Sequence, residues 1–246
     1  MSDKHVRICL WSGPRNVSTA LMYSFAQRDD TVVYDEPLYA HYLSKTPARE
    51  YHPGADEVIA TMENDGQKVI DDLILGDHPK PVAFFKQMTH HLFEVDYSFL
   101  DRTVNILLTR DPLEMLPSYG AVVEMPTLKD VGYAMHIELL DYLRSRGQNP
   151  PVLDSKQVLL NPRSVLSQLC ERIGIAFQES MLSWKAGARP EDGSWAEYWY
   201  ASVHQSTGFG VWKQKQDSEV FPERLRSLLE ECKPYYERLN AIAIKA

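Results

Sequence analysis

Residues 6–19 read VRICLWSGPRNVST, and this stretch decides the fold class. Val6 to Trp11 form a short apolar run rich in strand-forming residues, which predicts a buried strand ending at the turn Ser12-Gly13-Pro14. From Ser18 onwards the apolar side chains recur four residues apart, which predicts a helix ending near Arg28. A strand, a short loop and a helix in this order open a parallel α/β sheet.

The alternation of strands and helices continues along the chain. Continuous apolar runs, typical of strands covered on both faces, predict further strands at Thr31 to Tyr34, Val82 to Met88, Val104 to Thr109 and Val152 to Val158. Helical periodicity with proline and glycine signals predicts helices from Pro112, through Tyr133 and Leu143, from Pro162 to Gly174 and from Pro222 to about Leu239. We therefore predict one α/β domain over residues 1–246, with helices flanking a central, mainly parallel sheet in three layers.

Three further expectations concern details of this architecture. Pro234 is expected to bend or break the last helix, because proline removes a backbone donor. Residues 40–81 are expected to be irregular, with one helix whose apolar side runs from Val58 to Ile74. The strand that begins at Thr31 is expected to lie beside the first strand.

Composition and charge narrow the class of protein. The chain has 246 residues, of which 44% are hydrophobic and 24% charged, and both values are ordinary for a globular domain. Its net charge of -8 and pI of about 5.5 argue against a nucleic-acid binder, which usually has a basic face. Neither a signal peptide nor an apolar run of the roughly 18 residues that span a membrane is recognised. Cys9, Cys170 and Cys232 lack CxxC spacing, so we expect no disulfide framework, no zinc site and a cytoplasmic location.

The loop from Ser12 to Thr19 joins the first strand to the N-terminus of the first helix. This geometry directs free backbone N–H groups and the positive end of a helix dipole at one spot. A permanent cation and two hydroxyl donors complete a candidate phosphate site, formed by Arg15, Asn16, Val17, Ser18 and Thr19. The ATP-type pattern GxxxxGK[ST] fails here, because serine replaces its lysine and valine its second glycine. An ordinary strand-to-helix turn with a hydroxyl cap is the alternative.

A second candidate anion contact follows the strand that ends at Thr109. Arg110 stands at the carboxyl end of this strand, the edge at which open α/β sheets bind ligands. Ser118 lies about two helical turns further on. An arginine paired with Asp111 is the structural alternative. With the first loop, this segment predicts two separated anion sites at one edge of the sheet.

Together these segments resemble the P-loop sulfotransferase family, whose donor is 3′-phosphoadenosine 5′-phosphosulfate. The Arg15 loop is similar to the family's phosphate–sulfate loop, and Arg110 with Ser118 is similar to its 3′-phosphate motif. The segment from Val152 to Gly174 resembles the family's strand, N-P-R-type turn and helix. The resemblance implies that this nucleotide is the donor co-substrate and that the chain is a divergent, bacterial-type member.

The segment 204–213 resembles the family's loop that closes over the nucleotide and ends in Gly-x-Trp-Lys. The resemblance implies nucleotide contacts by Ser206, Thr207, Gly208 and Lys213. Ser206 and Thr207 stand near the positions where cytosolic members of the family carry an Arg-Lys-Gly run. Hydroxyl contacts would therefore replace charged ones here, and Arg15 likewise stands where those members usually have lysine.

Sulfuryl transfer resembles phosphoryl transfer, in which positioning and charge stabilisation dominate, and it benefits from a general base at the acceptor. Glu36 resembles the glutamate base of bacterial and Golgi-type members, and it is the preferred candidate, although it could pair with Arg15 instead. The alternative base is His90 or His91, because cytosolic members use a histidine shortly after a lysine. In an extended chain only one of these histidines would face the site. Lys86 is a further catalytic candidate, as an aid to the leaving or bridging oxygen, and Arg15 is another through its charge.

We therefore expect a sulfotransferase that moves a sulfuryl group to a hydroxyl or amine of a small-molecule acceptor. A P-loop small-molecule kinase is the alternative, although the chain lacks the Gly-Lys pair and a clear magnesium-binding aspartate. A catalytically inactive nucleotide-binding module of the same fold is a third possibility. No His, Cys, Asp or Glu cluster has metal-ligand spacing, so no metal is expected. Aromatic residues could line an acceptor pocket or pack over the sheet edge, namely Tyr39, Tyr42, Trp184, Trp195, Tyr198, Trp199 and Tyr200.

Overall fold

One parallel sheet organises this computed structural model, which describes residues 5–212 and 221–246. Its five strands within these residues are β1 (Val6–Ser12), β2 (Thr31–Asp35), β3 (Val82–Met88), β4 (Val104–Thr109) and β5 (Val152–Asp154). The order across the sheet is β2-β3-β1-β4-β5, and every neighbouring pair is parallel. The predicted α/β class with a central parallel sheet is confirmed.

Helices connect the strands and cover both faces of the sheet. In chain order they are α1 (Ser18–Ala26), α2 (Tyr39–Lys45), α3 (Ala55–Thr61), α4 (Gly66–Lys68), α5 (Pro112–Tyr119), α6 (Leu128–Val131), α7 (Tyr133–Ser145), α8 (Ser155–Leu160), α9 (Pro162–Ile173), α10 (Ala196–Trp199), α11 (Ala201–His204) and α12 (Arg226–Asn240). A π-helical segment, Val69–Ile74, continues α4. Short 3₁₀ turns occur at Pro47–Glu50, Thr89–His91, Tyr97–Arg102, Glu179–Leu182 and Glu223–Leu225.

Two apolar layers enclose the sheet, because successive side chains of a strand point to opposite faces. Ile8 and Leu10 of β1 pack on one face with residues of α1 and α9. Cys9 and Trp11 pack on the other face with residues of α7 and α12. Both faces of the central strands are therefore buried, which explains their continuous apolar sequences.

One predicted strand boundary is wrong, and the break suggested at Pro234 does not occur. The strand predicted from Val152 to Val158 ends at Asp154, whose Oδ1 accepts a hydrogen bond from the Gln157 N–H at 3.2 Å and so begins α8. Pro234 does not break α12, which continues to Asn240. Cys232 and Leu239 are buried on either side of this proline, so both halves of the helix pack onto the domain.

The single helix predicted within residues 40–81 is also wrong, because this region contains several helical segments. α3 ends at Thr61, and α4 begins again after Asp65. The Asp65 carboxylate accepts hydrogen bonds from the N–H groups of Gln67 and Lys68, at 3.0 and 3.2 Å. A new N-cap inside a continuous apolar pattern therefore divides the helix.

The strand order determines which loops meet at the carboxyl edge of the sheet. β3 lies between β1 and β2, with Phe84 opposite both Ile8 and Val33, so the expectation that β2 lies beside β1 is wrong. The chain segments that follow β1, β2, β3 and β4 nevertheless emerge at the same edge, because these strands are parallel. Among the described residues, no helix combines the length and apolarity needed to cross a bilayer.

Candidate active site

A cavity of about 460 Å³ opens at this edge of the sheet. It brings together most of the residues predicted from the sequence, namely Arg15, Asn16, Val17, Ser18, Thr19, Glu36, Lys86, His90, His91, Arg110, Ser118, Ser206 and Gly208. Thr207 is exposed and does not line the cavity. Lys213 lies outside the described residues.

The loop after β1 is shaped by close approach and by an unusual backbone conformation. A Cβ atom at Gly13 would lie 2.8 Å from the Val131 carbonyl oxygen, so this position has no room for a side chain. Arg15 has a φ of 53°, a left-handed conformation that costs a non-glycine residue on the order of 1–3 kcal/mol. The loop thereby holds the Arg15 backbone in a conformation that the residue would not adopt freely.

The N-terminus of α1 supplies hydrogen-bond donors to the cavity. The Ser18 N–H donates to Asn16 Oδ1 at 3.0 Å. The N–H groups of Val17, Thr19 and Ala20 have no acceptor among the described residues, and all three residues line the cavity. Free amides at the positive end of a helix dipole favour an anion at this position.

The two predicted anion contacts are joined by hydrogen bonds, and that they hold two separate anionic groups stays a prediction. Arg15 Nε donates to Ser118 Oγ at 2.9 Å, and Arg110 Nη1 donates to the Arg15 carbonyl oxygen at 2.9 Å. α5 carries Ser118 back beside the first loop because β4 is the neighbour of β1. The predicted residues therefore form one continuous polar end of the cavity.

This end of the cavity is positively charged. Burial and the nearby Arg110 charge lower the pKa of Arg15 below its ordinary value, and arginine stays protonated under such conditions. Arg15 forms no ion pair with a carboxylate of the described residues, whereas Arg110 contacts Glu114, not Asp111, at 3.4 Å. Arg110 Nε is buried without a hydrogen-bond partner in the described part of the chain. An anionic ligand would satisfy these donors.

Glu36 follows β2 and reaches the same cavity. Its φ of 43° is also left-handed, and its N–H donates to the Lys86 carbonyl oxygen at 2.8 Å. Lys86 Nζ donates to Glu36 Oε1, so the carboxylate pairs with this lysine and not with Arg15. Glu36 Oε2 accepts no hydrogen bond from the described residues.

A buried hydrogen-bond network surrounds Lys86, whose side chain is 1% exposed. Besides Glu36, its ammonium donates to Asp35 Oδ1 at 2.9 Å and to Tyr200 Oη at 2.6 Å. An ammonium has three hydrogens, so these partners occupy all of them. Burial disfavours the charged form, but the neighbouring carboxylates of Asp35 and Glu36 raise the pKa of Lys86 well above its ordinary value.

Burial and then the Asp35 charge raise the pKa of Glu36, whereas Lys86 opposes this rise. Because burial is the largest of these influences, the pKa of Glu36 lies above its ordinary value. A carboxylate with a raised pKa is a stronger base than an ordinary one, provided that it is ionised at the working pH.

His90 and His91 belong to a 3₁₀ turn and not to an extended chain, so the condition under which only one would face the site is not met, and both line the cavity. An extended strand would separate them, but the turn brings both to one side. Burial lowers the pKa of His90 to about 3 and that of His91 well below its ordinary value. Both imidazoles are therefore neutral near pH 7, and such low pKa values make them weak bases.

The segment after α9 covers the cavity. Trp195, Trp199 and Tyr200 line it, and the Trp199 carbonyl oxygen accepts a hydrogen bond from Arg15 Nη1 at 3.1 Å. Ser206 also lines it, but its Oγ donates to the Val203 carbonyl oxygen at 2.7 Å. The hydroxyl hydrogen of Ser206 is therefore not available to a ligand while this bond is kept.

Sequence analysis missed Asp35 and His52 as site residues. Asp35 is adjacent to Glu36, but no spacing signal linked it to Lys86 or to Tyr200, which are far away along the chain. His52 lines the cavity, and burial lowers its pKa to about 4. Among the suggested aromatic residues, Tyr39 lines the cavity, whereas Tyr42 and Trp184 are buried outside its lining and Tyr198 is exposed.

The described residues contain no cluster of three or more His, Cys, Asp or Glu side chains suited to a metal ion. The cationic end of the cavity offers arginine side chains and backbone amides as ligands. They suit phosphate and sulfate groups.

Comparison with known proteins assigns the chain to one family. Residues 6–243 match the family described as "Sulfotransferase domain". The chain therefore belongs to the sulfotransferase domain family.

Among curated proteins, the chain is similar to "Branched-chain-amino-acid aminotransferase-like protein 1" of Arabidopsis thaliana, at 41% identity over 232 residues. The match covers 94% of this chain but 41% of that protein, so the chain spans about two fifths of the relative's length.

Solved structures share the fold at low sequence identity. The sulfotransferase from Alicyclobacillus acidocaldarius has a TM-score of 0.56 at 12% identity, and the match covers 98% of this chain and 97% of that one. The sulfotransferase domain of the Synechococcus PCC 7002 olefin synthase has a TM-score of 0.53 at 15% identity, with coverages of 94% and 96%. At such identities the likeness shows the fold alone.

Proposed function

We propose that the chain transfers a sulfuryl group from 3′-phosphoadenosine 5′-phosphosulfate to a hydroxyl or amine of a small acceptor. One observation carries the proposal: a single cavity combines the cationic end at Arg15 and Arg110 with the free carboxylate oxygen of Glu36. Family membership supports this chemistry.

The nucleotide's anionic groups suit the cationic end of the cavity. We assign the 5′-phosphosulfate to the Arg15 loop and the free amides of α1, and the 3′-phosphate to Arg110 and Ser118. Arg110 Nε is buried and has no acceptor among the described residues, which supports this assignment because a charged donor left without an acceptor is costly. Ser118 Oγ accepts its hydrogen bond from Arg15, so the hydroxyl hydrogen of Ser118 can donate to the phosphate while that bond is kept.

Glu36 acts as the general base in this proposal. Its Oε2 takes the proton of the acceptor hydroxyl while the acceptor oxygen forms a bond to sulfur. The bond between sulfur and the 5′-phosphate oxygen breaks, and Arg15 with the α1 amides stabilises the negative charge left on the phosphate. Lys86 has no hydrogen left for the leaving oxygen, so we assign to it the positioning of Glu36.

The aminotransferase-like name of the Arabidopsis relative is not carried over to this chain. The matched segment is about two fifths of that relative, while the sulfotransferase family covers residues 6–243 here. The segment that the two proteins share therefore corresponds to the sulfotransferase domain.

Two assays test the proposal. In the first, thermal shift compares adenosine 3′,5′-bisphosphate with ATP plus magnesium, and we expect the larger stabilisation from the bisphosphate. In the second, sulfur-labelled donor is supplied with panels of small alcohols, phenols and amines, and we expect label in a new product.

Larger stabilisation by ATP plus magnesium would support the kinase alternative and contradict the proposal. Binding of the bisphosphate without transfer to any acceptor of the panels would favour the inactive nucleotide-binding module.

A further inference from the structure

Asp35 and Glu36 each accept one hydrogen bond from Lys86, but they differ in the number of their other partners. Asp35 accepts three hydrogen bonds, from Lys86 Nζ at 2.9 Å, Tyr200 Oη at 2.7 Å and the Gly193 N–H at 3.2 Å. Glu36, which lines the cavity, accepts one, from Lys86 to Oε1, and its Oε2 accepts none from the described residues. Asp35 is therefore built into the scaffold, whereas Glu36 has one oxygen available for chemistry.

The groups that face Glu36 come from several elements. Lys86 belongs to β3, Asp35 to β2 and Tyr39 to α2. Tyr200 belongs to the segment after α9. His91 Nδ1 lies 4.0 Å from Glu36 Oε2. Burial lowers the pKa of His91 and raises the pKa values of both tyrosines, so these three groups are neutral near pH 7. Lys86 and Asp35 are the charged neighbours among the described residues.

We propose that Asp35 is a positioning residue for Glu36. It shares the Lys86 ammonium, so that Lys86 fixes one Glu36 oxygen and leaves the other free to take a proton. This inference rests on the proposed function of Glu36 as the base.

The carboxylates of Asp35 and Glu36 share the single positive charge of Lys86, and this sharing explains why Glu36 is suited to act as a base. If Glu36 were the sole partner of Lys86, the full attraction of a buried ion pair would stabilise its ionised form and weaken it as a base. The Asp35 charge acts in the opposite direction and raises the pKa of Glu36. Asp35 thus allows Lys86 to orient Glu36 without neutralising it.

The test variant is Asp35→Asn, which keeps the size of the side chain and an oxygen acceptor for Lys86 but removes the charge. The control is Asp192→Asn. The side chain of Asp192 is also only 5% exposed and accepts hydrogen bonds from Tyr23, but it has no hydrogen bond or ion pair with Lys86 or Glu36.

Carbon-13 NMR of glutamate-labelled protein follows the Glu36 carboxyl through a pH titration, with Glu36→Gln identifying its signal. We expect Glu36 to titrate above its ordinary value in the unmodified chain. We expect its titration to move down by at least one pH unit in Asp35→Asn and to stay unchanged in Asp192→Asn. The acidic limb of the kcat/KM profile should move in the same direction, while affinity for adenosine 3′,5′-bisphosphate stays the same.

An unchanged Glu36 titration in folded Asp35→Asn would overturn the inference. If that variant does not fold, the titration of Glu36 in the unmodified chain still tests the inference. A Glu36 pKa at or below its ordinary value there would contradict the role given to Asp35. The titration requires no turnover. A chain that transfers no sulfuryl group would therefore refute the proposed function separately from this test.

Discussion

The two ends of the cavity use charge in opposite ways. At one end, the guanidinium groups of Arg15 and Arg110 lie beside free amides of α1, and Arg15 has no carboxylate partner among the described residues. At the other end, Lys86 is fully occupied by Asp35, Glu36 and Tyr200. Within the described residues, the first end has donors without acceptors, whereas at the second end all three hydrogens of the Lys86 ammonium have acceptors and one oxygen of Glu36 has no donor.

This difference indicates that the two ends of the cavity are suited to different roles, one to binding an anion and the other to orienting a reactive group. An unsatisfied cluster of donors is suited to binding, since the ligand supplies the missing acceptors. A satisfied ion-pair network is suited to holding a reactive group in one orientation, because its partners leave little freedom. Left-handed backbone conformations at both Arg15 and Glu36 fit the view that both ends are functional.

The largest effect is expected at the paired end. Glu36→Gln removes the base but keeps the side-chain shape, so turnover should fall by about 10²–10⁴-fold while bisphosphate affinity stays nearly intact. Turnover of labelled donor measures the first quantity, and calorimetry measures the second.

The histidine variants are the controls for this prediction. His90→Ala and His91→Ala should cost less turnover than Glu36→Gln. Near-full turnover in Glu36→Gln together with an inactive histidine variant would transfer the role of base to that histidine.

At the cationic end, Arg110→Ala should weaken binding of adenosine 3′,5′-bisphosphate by about 1.5–3 kcal/mol, the usual contribution of charged hydrogen bonds. Binding of adenosine 5′-monophosphate, which lacks the 3′-phosphate, should change little. Calorimetric titration of both ligands provides the comparison, and the exposed Arg102→Ala serves as a control for loss of general charge. Equal losses for both ligands would contradict the assignment of Arg110.

Acid should destabilise the fold through the neutral histidines of the cavity. The pKa values of His52 and His90 fall to about 4 and about 3 on folding, so their contribution to stability is complete above the unfolded value near 6.5. It is lost as pH falls towards the folded values, at about 1.4 kcal/mol per pH unit for each histidine. Glu36 opposes this trend, because its raised pKa favours the folded state as it is protonated.

The comparison variant for this prediction is His90→Gln, which removes one titrating group. Urea unfolding between pH 6 and pH 4 should show a shallower loss of unfolding free energy in this variant, by about 1.4 kcal/mol per pH unit. Parallel curves for the two proteins would show that folding does not lower the pKa of His90.

The smallest effect is expected at Ser206. Its hydroxyl donates to Val203 and accepts a hydrogen bond from Trp184 Nε1 at 3.0 Å, so it already has partners inside the protein. Ser206→Ala should lower the free energy of unfolding by roughly 0.5–1.5 kcal/mol per lost bond. Bisphosphate affinity should remain unchanged, and a clear loss in calorimetry would instead place this hydroxyl on the nucleotide.

Much of the fold follows from local signals in the sequence. The bounds predicted for the strands Val82–Met88 and Val104–Thr109 are confirmed, because buried parallel strands have continuous apolar sequences. α9 has the predicted cap, in which Asn161 Oδ1 accepts from the Ser164 N–H at 3.1 Å, and it ends directly before Gly174, which has a φ of 76°.

The partners of Glu36 could not be predicted in this way. Lys86 meets Asp35 because β3 inserts between β1 and β2, and pairing of this kind leaves no periodic signature in one sequence. Tyr200 reaches Lys86 from more than a hundred residues away along the chain. Individual site residues were therefore predictable from their loops, but the network that orients them was not.

Calorimetric titration with three ligands tests the central claim that the cavity accepts a 3′-phosphorylated adenosine sulfate donor. Adenosine 3′,5′-bisphosphate and its 2′,5′ isomer have the same charge, so their comparison isolates the geometry of Arg110 and Ser118, and ATP with magnesium represents the kinase alternative. We predict that the 3′,5′ isomer binds at least about tenfold more tightly than either competitor, a difference of about 1.4 kcal/mol. Equal affinities for the isomers, or tighter binding of ATP with magnesium, would contradict the claim.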